Sequence, residues 1–239
     1  MNTLLISDLG LLGYAEAYAL QKRIVAARNA GLIDDVLLLC EHPHVITQGR
    51  NGKREHLLAD EHVLRQKSVE YHETSRGGDI TYHGPGQVVG YPILNLGAIR
   101  RDVVWYVRML EEAMIRATRE FGVEAGRIAG RTGIWTGSNS KEEKLGAIGV
   151  HISRWITSHG FAYNVSTDLR YFDLIVPCGI ADRKATSLEK LLARGVTPAE
   201  AKPPLARHVA GVLGLVDKEI PRRELFERLR FAEAMPVSA

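Results

Sequence analysis

The segment from Ser75 to Leu96, SRGGDITYHGPGQVVGYPILNL, constrains the fold of this 239-residue chain more than any other stretch of its sequence. Two adjacent glycines open it and two more flank Pro85, before the segment continues into an apolar run. Glycine adopts positive φ values without strain and has no side chain to hold a ligand away from the backbone. These residues predict a groove lined by backbone N–H groups or, as the simpler alternative, a tight hairpin that leads into a core strand.

The apolar run after Pro85 is long enough for one buried strand, which could form the wall of a tunnel. Its apolar residues are Val88, Val89, Tyr91, Ile93 and Leu94. The sequence contains no GxxxxGK[ST] motif, and neither glycine cluster fits a GxGxxG turn between a strand and a helix. Nothing in this pattern requires a bound nucleotide.

The composition is that of a globular protein. Apolar residues make up 45% of the chain, enough to fill a substantial core, and the formal net charge is +3. The basic residues cluster in GRNGKREH and near the end of the chain without interleaved aromatic residues, which favours an acidic protein partner over nucleic acid. We expect a cytoplasmic protein with no membrane contact, because no segment approaches ~20 uninterrupted apolar residues and the start lacks a basic leader.

The chain has two cysteines, Cys40 and Cys178, in dissimilar surroundings, which does not suggest a disulfide framework. Cys40, His42 and His44 could share one face of an extended strand and bind a metal. Pro43 interrupts that strand and no fourth ligand is evident, so we expect no metal site.

Strand-like and helical segments alternate along the chain without a repeat. The segment DVVWYVRMLEEAMIRATREFG predicts a helix that begins at Asp102 and ends at Gly122, and GAIGVHISRWITSHGFAYNV resembles a hairpin. This mixture predicts an α+β (mixed α/β) fold, with a mixed β-sheet flanked by helices. We expect one domain over residues 1–239, with a small helical C-terminal subdomain at about 187–239.

The best candidate for a reactive group is Cys178 in LIVPCGIADRKATSL, where an apolar run ends in a charged loop. A free thiol is mostly protonated at neutral pH, so a nucleophilic role requires a neighbour that favours the thiolate. Lys144, before the apolar segment LGAIGV, could supply a cation that lowers the pKa of such a thiol. His83, His151 and His159 are competing bases.

Three segments together carry a family resemblance: RGGDITYHGPGQ, KLGAIGVHISRWITSHGFAYNV and VPCGIADRKATSL. In this order and separation they resemble the lipoyl(octanoyl) transferases, which are octanoyl-[acyl-carrier-protein]:protein octanoyltransferases. EHPHVITQGR is also similar to an early motif of that family. The resemblance extends from about Glu41 to Leu188, and it selects Lys144 over Lys141 because the family lysine directly precedes LGAIG.

The resemblance implies the mixed α/β fold of the biotin and lipoate protein ligases, a nucleophilic Cys178 and an activating Lys144, with no cofactor and no metal. It also implies three substrate-binding segments. These consist of Arg76, Gly77, Gly78, Asp79, Ile80, Thr81, Tyr82 and His83, of Ala147, Ile148 and Gly149, and of Gly160, Phe161 and Ala162.

The resemblance also implies the reaction and its partners. The donor would be octanoyl-acyl carrier protein, and the acceptors would be lipoyl domains of 2-oxoacid dehydrogenase E2 subunits and the glycine cleavage H protein. Three alternatives remain open at this stage: an ATP-dependent lipoate or biotin ligase, a non-catalytic carrier-binding protein, and a cysteine hydrolase. An ATP requirement, tolerance of Cys178→Ser, or release of the octanoyl group to water would identify them in turn.

Overall fold

The computed structural model describes residues 2–138, 141–176 and 184–235, which form two β-sheets with flanking helices. The described strands are β1 (Thr3–Leu11), β2 (Asp35–Glu41), β3 (Val45–Gln48), β4 (Glu70–Glu73), β5 (Ile80–His83), β6 (Gln87–Ile93), β7 (Gly126–Ile128), β8 (Arg131–Thr136), β9 (Glu143–Ser153), β10 (Ile156–Asn164) and β11 (Val216–Glu219). The described helices are α1 (Tyr14–Asn29), α2 (Glu61–Gln66), α3 (Leu96–Ile99), α4 (Val103–Glu120), α5 (Leu188–Leu192), α6 (Pro198–Leu213) and α7 (Arg222–Ala234).

The main sheet, within the described residues, has eight strands in the order β11-β1-β2-β6-β10-β9-β8-β7. β1 pairs in parallel with β11 and β2, and the remaining neighbours are antiparallel. A smaller sheet has the order β4-β3-β5, with one parallel and one antiparallel pair. The predicted mixed α/β fold is therefore confirmed.

The HGPG segment is the point at which the chain changes sheets. β5 belongs to the small sheet and β6 to the main sheet, so the two strands do not form the hairpin offered as the simpler alternative. The N–H of Gln87 donates to the carbonyl of Gly84 (3.2 Å), which closes the turn. Gly86, at φ +81°, presents its carbonyl to the N–H groups of Val165 and Ser166 at 3.1 and 3.0 Å. Here glycine permits a close approach of two chain segments.

Two apolar cores cover the two faces of the main sheet. One contains buried residues of α4 and α6, including Leu110 and Leu205. The other contains buried residues of α1 and α7, including Ile24 and Leu229. A third, smaller core lies between the small sheet, α2 and the 3₁₀ turn Leu169–Leu174.

The C-terminal residues contribute to the main sheet and to both of its cores. β11 extends the sheet beside β1, while α6 and α7 pack on opposite faces. The strand between α6 and α7 thus fixes these helices on opposite faces of the main sheet, and the small C-terminal subdomain at about 187–239 stays a prediction.

Several local predictions are confirmed. α4 begins where Asp102 accepts a hydrogen bond from the N–H of Trp105 (2.8 Å), and Gly122 adopts φ +76° after its end. β9 and β10 form the expected hairpin. Among the described residues, no helix is both long enough and apolar enough to cross a membrane.

Candidate functional site

A cavity of about 620 Å³ opens between the two sheets and beside the start of α4. Its floor and walls come from the loop before β5, from strands β6, β9 and β10, and from the turn between β7 and β8. All of the predicted binding residues except Tyr82 line this cavity, as does Lys144. Three segments that are distant in sequence therefore meet around one space.

Tyr82 lies on the other side of β5. Its side chain is fully buried, its hydroxyl is 2.7 Å from Nδ1 of His44, and its ring stacks on Tyr171 at 5.1 Å. Because successive side chains of a strand point to opposite faces, Thr81 and His83 face the cavity while Tyr82 packs in the small core.

Glycines allow the walls of the cavity to approach one another. The N–H of Gly77 donates to the carbonyl of Val150 (2.8 Å), and a Cβ at Gly149 would lie 2.9 Å from the carbonyl oxygen of Gly77. A Cβ at Gly160 would lie 2.1 Å from the carbonyl oxygen of Gly90. At Gly149 and Gly160, the absence of a side chain leaves room for a neighbouring backbone segment as well as for a ligand.

Arg76 places a buried positive charge at the cavity, with 8% of the residue exposed. Nη2 donates to the carbonyl oxygen of Thr47 (2.6 Å) and to its hydroxyl (2.9 Å), and Nη1 donates to the carbonyl of Gly77 (3.1 Å). These bonds compensate the desolvation of the guanidinium, which keeps its charge at any physiological pH.

Two buried histidines near Arg76 are held in the neutral form. Burial, followed by the positive charges around them, lowers the pKa of His83 and of His159 to about 3. Nδ1 of His83 lies 2.7 Å from the amide oxygen of Gln87, and Nε2 of His159 lies 3.2 Å from the hydroxyl of Ser75. A pKa this low makes both rings weak proton acceptors at neutral pH, which disfavours them as catalytic bases.

Lys144 lies near the start of β9, opposite Trp135 of β8. Its Nζ is 4.8 Å from the centre of the Trp135 ring, a cation–π distance. The N–H of Lys144 donates to the carbonyl of Lys184, and its carbonyl accepts from the N–H of Thr186, both at 2.9 Å. The strand that carries Lys144 is thus bonded to the chain that follows residue 183.

Cys178, the predicted nucleophile, lies outside the described residues. The described chain before it is bonded to residues 56–59: the N–H of Val176 donates to the carbonyl of His56 (2.8 Å), and Ile175 pairs with Leu57. Nδ1 of His56 lies 2.6 Å from Oδ2 of Asp79, which lines the cavity. The described chain on both sides of residues 177–183 is thus bonded to residues next to the cavity.

The alternative metal site does not assemble in the structure. Sγ of Cys40 and Nε2 of His42 are 3.7 Å apart. The ring of His44 instead stacks at 4.1 Å on Tyr171, which packs against the small third core. No group of three His, Cys, Asp or Glu side chains with metal-binding geometry occurs in the described parts of the chain.

Several cavity residues were not predicted from the sequence. They are Tyr14, Asn51, Val103, Val107, Gly130, Arg131, Thr132 and Val150. Val103 and Val107 lie on α4, and Val103 is 44% exposed at the cavity. Only the tertiary arrangement brings these residues to the site.

The family of the chain follows from comparison with known proteins. A family model described as the lipoyl protein ligase A/B catalytic domain matches residues 13–210. The chain belongs to this family. A protein of Acidobacterium capsulatum named octanoyltransferase is 58% identical over 190 residues, covering 76% of this chain and 77% of the relative. An octanoyltransferase of Solibacter usitatus is 53% identical over 194 residues, covering 81% and 86%. The resemblance drawn from the three motifs is confirmed.

Solved structures of lipoate protein ligases share the fold. A lipoate protein ligase of Thermoplasma acidophilum with bound lipoic acid has a TM-score of 0.69 at 16% identity, covering 97% of this chain and 94% of that one. A lipoate-protein ligase A bound with ATP has a TM-score of 0.66 at 14% identity, covering 98% and 94%. At such identities the similarity demonstrates the fold alone.

Proposed function

We propose that this protein transfers an octanoyl group from octanoyl-acyl carrier protein to a lysine of lipoyl carrier domains, through an octanoyl thioester on Cys178. Its membership of the lipoyl protein ligase A/B family and its relatives named octanoyltransferase support this activity. No ATP is required, because thioester exchange is near balance and amide formation is favourable.

The observation that carries the proposal is the position of Lys144. It lines a cavity whose apolar wall includes Val89 and Phe161, and its N–H is bonded to the carbonyl of Lys184. Lys184 is six residues from Cys178 in the sequence. An apolar cavity suits a fatty acyl chain, and a cation near a thiol favours the thiolate.

In the first half-reaction, the Cys178 thiolate attacks the carbonyl carbon of the donor thioester. The tetrahedral intermediate collapses with breakage of the bond to the carrier sulfur, which leaves as a thiolate and takes a proton from the Lys144 ammonium, so that Lys144 is neutral before the second half-reaction. The products are octanoyl-Cys178 and the carrier protein with a free thiol.

In the second half-reaction, the ε-amine of the acceptor lysine attacks the octanoyl-Cys178 carbonyl. Lys144 accepts the proton that the amine loses, and the bond between carbon and sulfur breaks. The amide is released and the Cys178 thiolate is regenerated, ready for another cycle.

The proposed acceptors are lipoyl domains of 2-oxoacid dehydrogenase E2 subunits and the glycine cleavage H protein, and the proposed compartment is the cytoplasm. Arg50 is exposed close to the cavity, since its N–H donates to the carbonyl of Arg76 (3.0 Å). Burial and then the charge of Arg50 lower the pKa of His151. Many C-terminal basic residues, including Arg207 and Arg228, are instead paired with glutamates. An acidic carrier would therefore be attracted mainly at the cavity side.

Mass spectrometry of the protein after incubation with octanoyl-acyl carrier protein tests this proposal. We expect an octanoyl adduct on Cys178 that disappears when an unmodified lipoyl domain is added, and none in Cys178→Ala. An unmodified Cys178 would refute the covalent route. A requirement for ATP would identify the protein as a ligase, and release of free octanoate would identify it as a hydrolase.

The role of Lys144 is tested by replacing it. We expect Lys144→Ala to slow octanoylation of Cys178 by roughly 10²-fold at neutral pH, with partial recovery at higher pH as more thiol ionises. Lys141→Ala is the matched control, because Lys141 is exposed three residues earlier and should leave the rate unchanged. A wild-type rate in Lys144→Ala would remove this lysine from the mechanism.

A further inference from the structure

A chain of buried side-chain hydrogen bonds leads from the cavity to the segment that pairs with Lys144. Nδ1 of His83 is 2.7 Å from Oε1 of Gln87, and Nε2 of Gln87 donates to Oδ1 of Asn164 (2.9 Å). Nδ2 of Asn164 then donates to the carbonyl of Thr186 (2.9 Å). Gln87 and Asn164 face each other across the β6–β10 pair, so the sheet register fixes their alignment.

Each bond in this chain has a defined donor. The amide NH₂ of Asn164 must face the Thr186 carbonyl, which can only accept, so its oxygen faces Gln87. Gln87 must then present its own NH₂ to that oxygen and its carbonyl to His83. Consequently Nδ1 of His83 carries the proton, and its Nε2 is left as an acceptor, 3.4 Å from the hydroxyl of Thr47.

The direction of donation along these hydrogen bonds also agrees with the positive charge of Arg76, which lies beside His83. The hydroxyl of Thr47 accepts from Arg76 (2.9 Å) and can donate its own proton to Nε2 of His83. A second proton on His83 would remove that acceptor and place a cation beside Arg76, which is why burial and nearby charge keep its pKa near 3. The donors therefore all point from Arg76 towards Thr186.

The hydrogen-bond chain ends at Thr186, which is bonded to Lys144. Thr186 is fully buried, and its N–H donates to the carbonyl of Lys144, whose own N–H bonds to Lys184. Without Asn164, the Thr186 carbonyl would be a buried acceptor with one fewer donor, and the segment could gain a bond only by shifting. Such a shift would change its pairing with Lys144.

We propose that Gln87 and Asn164 are positioning residues, which hold the Lys184–Thr186 segment in register with Lys144 and thereby fix Lys144 in the position from which it acts on Cys178. This inference rests on the proposed function, in which Lys144 activates Cys178. Neither residue lines the cavity, so they act on the reaction through the segment that they fix.

The test compares Asn164→Ala and Gln87→Met with Tyr163→Phe. The control removes a buried hydrogen bond, between the hydroxyls of Tyr163 and Thr118 (2.8 Å), from the residue adjacent to Asn164 on the same strand. Two readouts apply: kcat and KM for octanoyl-acyl carrier protein, and the pH midpoint of Cys178 alkylation by iodoacetamide, located by peptide mass spectrometry. Urea unfolding of every variant shows whether it is folded.

We expect both positioning variants to lower kcat by about 10²-fold with little change in KM, since small displacements of reacting groups have effects of this size. The alkylation midpoint of Cys178 should rise towards that of Lys144→Ala, while Tyr163→Phe should match the wild type in both readouts. A folded Gln87→Met or Asn164→Ala protein with the wild-type kcat and midpoint would overturn the inference.

The two proposals can fail separately. If the wild-type protein accepts no octanoyl group, the proposed function fails, yet a raised alkylation midpoint in Asn164→Ala would still support the positioning of Lys144. If the wild type is octanoylated and the midpoint is the same in all folded variants, only the positioning role is refuted.

Discussion

The cavity holds a fixed positive charge beside aromatic rings that stay neutral. Arg76 is the cation, and the neighbouring rings of His83 and His159 remain unprotonated because burial and Arg76 both penalise a second positive charge. Burial likewise raises the pKa of the Tyr14 phenol to about 12. The site therefore keeps the same ionisation of these rings throughout the pH range in which a thiolate could react.

The depressed pKa of His83 makes the stability of the protein depend on pH. In the unfolded chain a histidine gains its proton near pH 6.5, whereas His83 in the fold stays neutral down to about pH 3. Between these values the unfolded state binds more protons, so the free energy of unfolding falls as pH falls. For this one histidine the slope is about 1.4 kcal/mol per pH unit. Urea unfolding between about pH 6 and about pH 4 measures it.

His83→Gln isolates this contribution, because glutamine cannot be protonated in this range. We expect the slope of the free energy of unfolding against pH to be about 1.4 kcal/mol per pH unit smaller in this variant than in the wild type. His62→Gln, at an exposed position in α2, is the matched control and should keep the wild-type slope. An undiminished slope in His83→Gln would show that His83 is not the group responsible.

At this scale the sequence predicted the residues that occur in its motifs and missed the isolated ones. Gly77, Gly149 and Gly160 belong to the segments that the family resemblance implies, and all three line the cavity. Arg131 and Tyr14 come from elements whose sequences carry no motif, and they reach the cavity only through tertiary packing. Tyr82 was included with its motif although the alternation of β5 directs it to the opposite face.

The elements of the site are joined by turns and ion pairs that the sequence does not reveal. The β9–β10 hairpin turns through Arg154 and Trp155 at φ +49° and +64°, values that favour asparagine or glycine. Alternation predicted this hairpin, but composition gave no sign of its two-residue turn. The alternation of residues thus predicts the two strands, while the surrounding structure determines the conformation of the turn between them.

Glu111 joins α4 to the strands beside Lys144. Its carboxylate is fully buried and accepts from Arg108 (2.6 Å), Arg127 (3.0 Å) and the N–H of Gly133 (3.0 Å). We expect Glu111→Ala to lower the free energy of unfolding by about 2–3 kcal/mol, since it removes three bonds to one charged group and leaves the Gly133 N–H without its acceptor. Urea denaturation measures the loss.

Glu112→Ala is the control for Glu111, because Glu112 also pairs with Arg127 but has 27% of its side chain exposed. Its replacement should cost less than about 1 kcal/mol, as exposed ion pairs do. Equal losses in the two variants would contradict a special role of the buried carboxylate.

For the whole molecule, the chain order and the spatial order of strands differ in ways that only long-range pairing explains. β1 lies between β2 and β11, although more than 200 residues separate Thr3 from its partner Val216. Hydrophobic patterns predicted the mixed α/β class correctly, because both kinds of period occur along the chain. They could not reveal the register, and so they did not indicate that β11 joins the main sheet beside β1.

The arrangement of α7 leads to a prediction about cooperativity. Leu229 of α7 is fully buried against the core shared with α1, whereas Phe231, two residues later, is 69% exposed. We expect Leu229→Ala to lower the free energy of unfolding by about 2–5 kcal/mol. Phe231→Ala should change it by less than about 0.5 kcal/mol.

All three tryptophans, Trp105, Trp135 and Trp155, lie outside α7, so their fluorescence reports the rest of the protein. If α7 belongs to the same cooperative unit, Leu229→Ala will shift the urea midpoint seen by the tryptophans and the one seen by circular dichroism equally. A tryptophan midpoint that stays at the wild-type value would instead demonstrate a C-terminal subdomain that unfolds on its own.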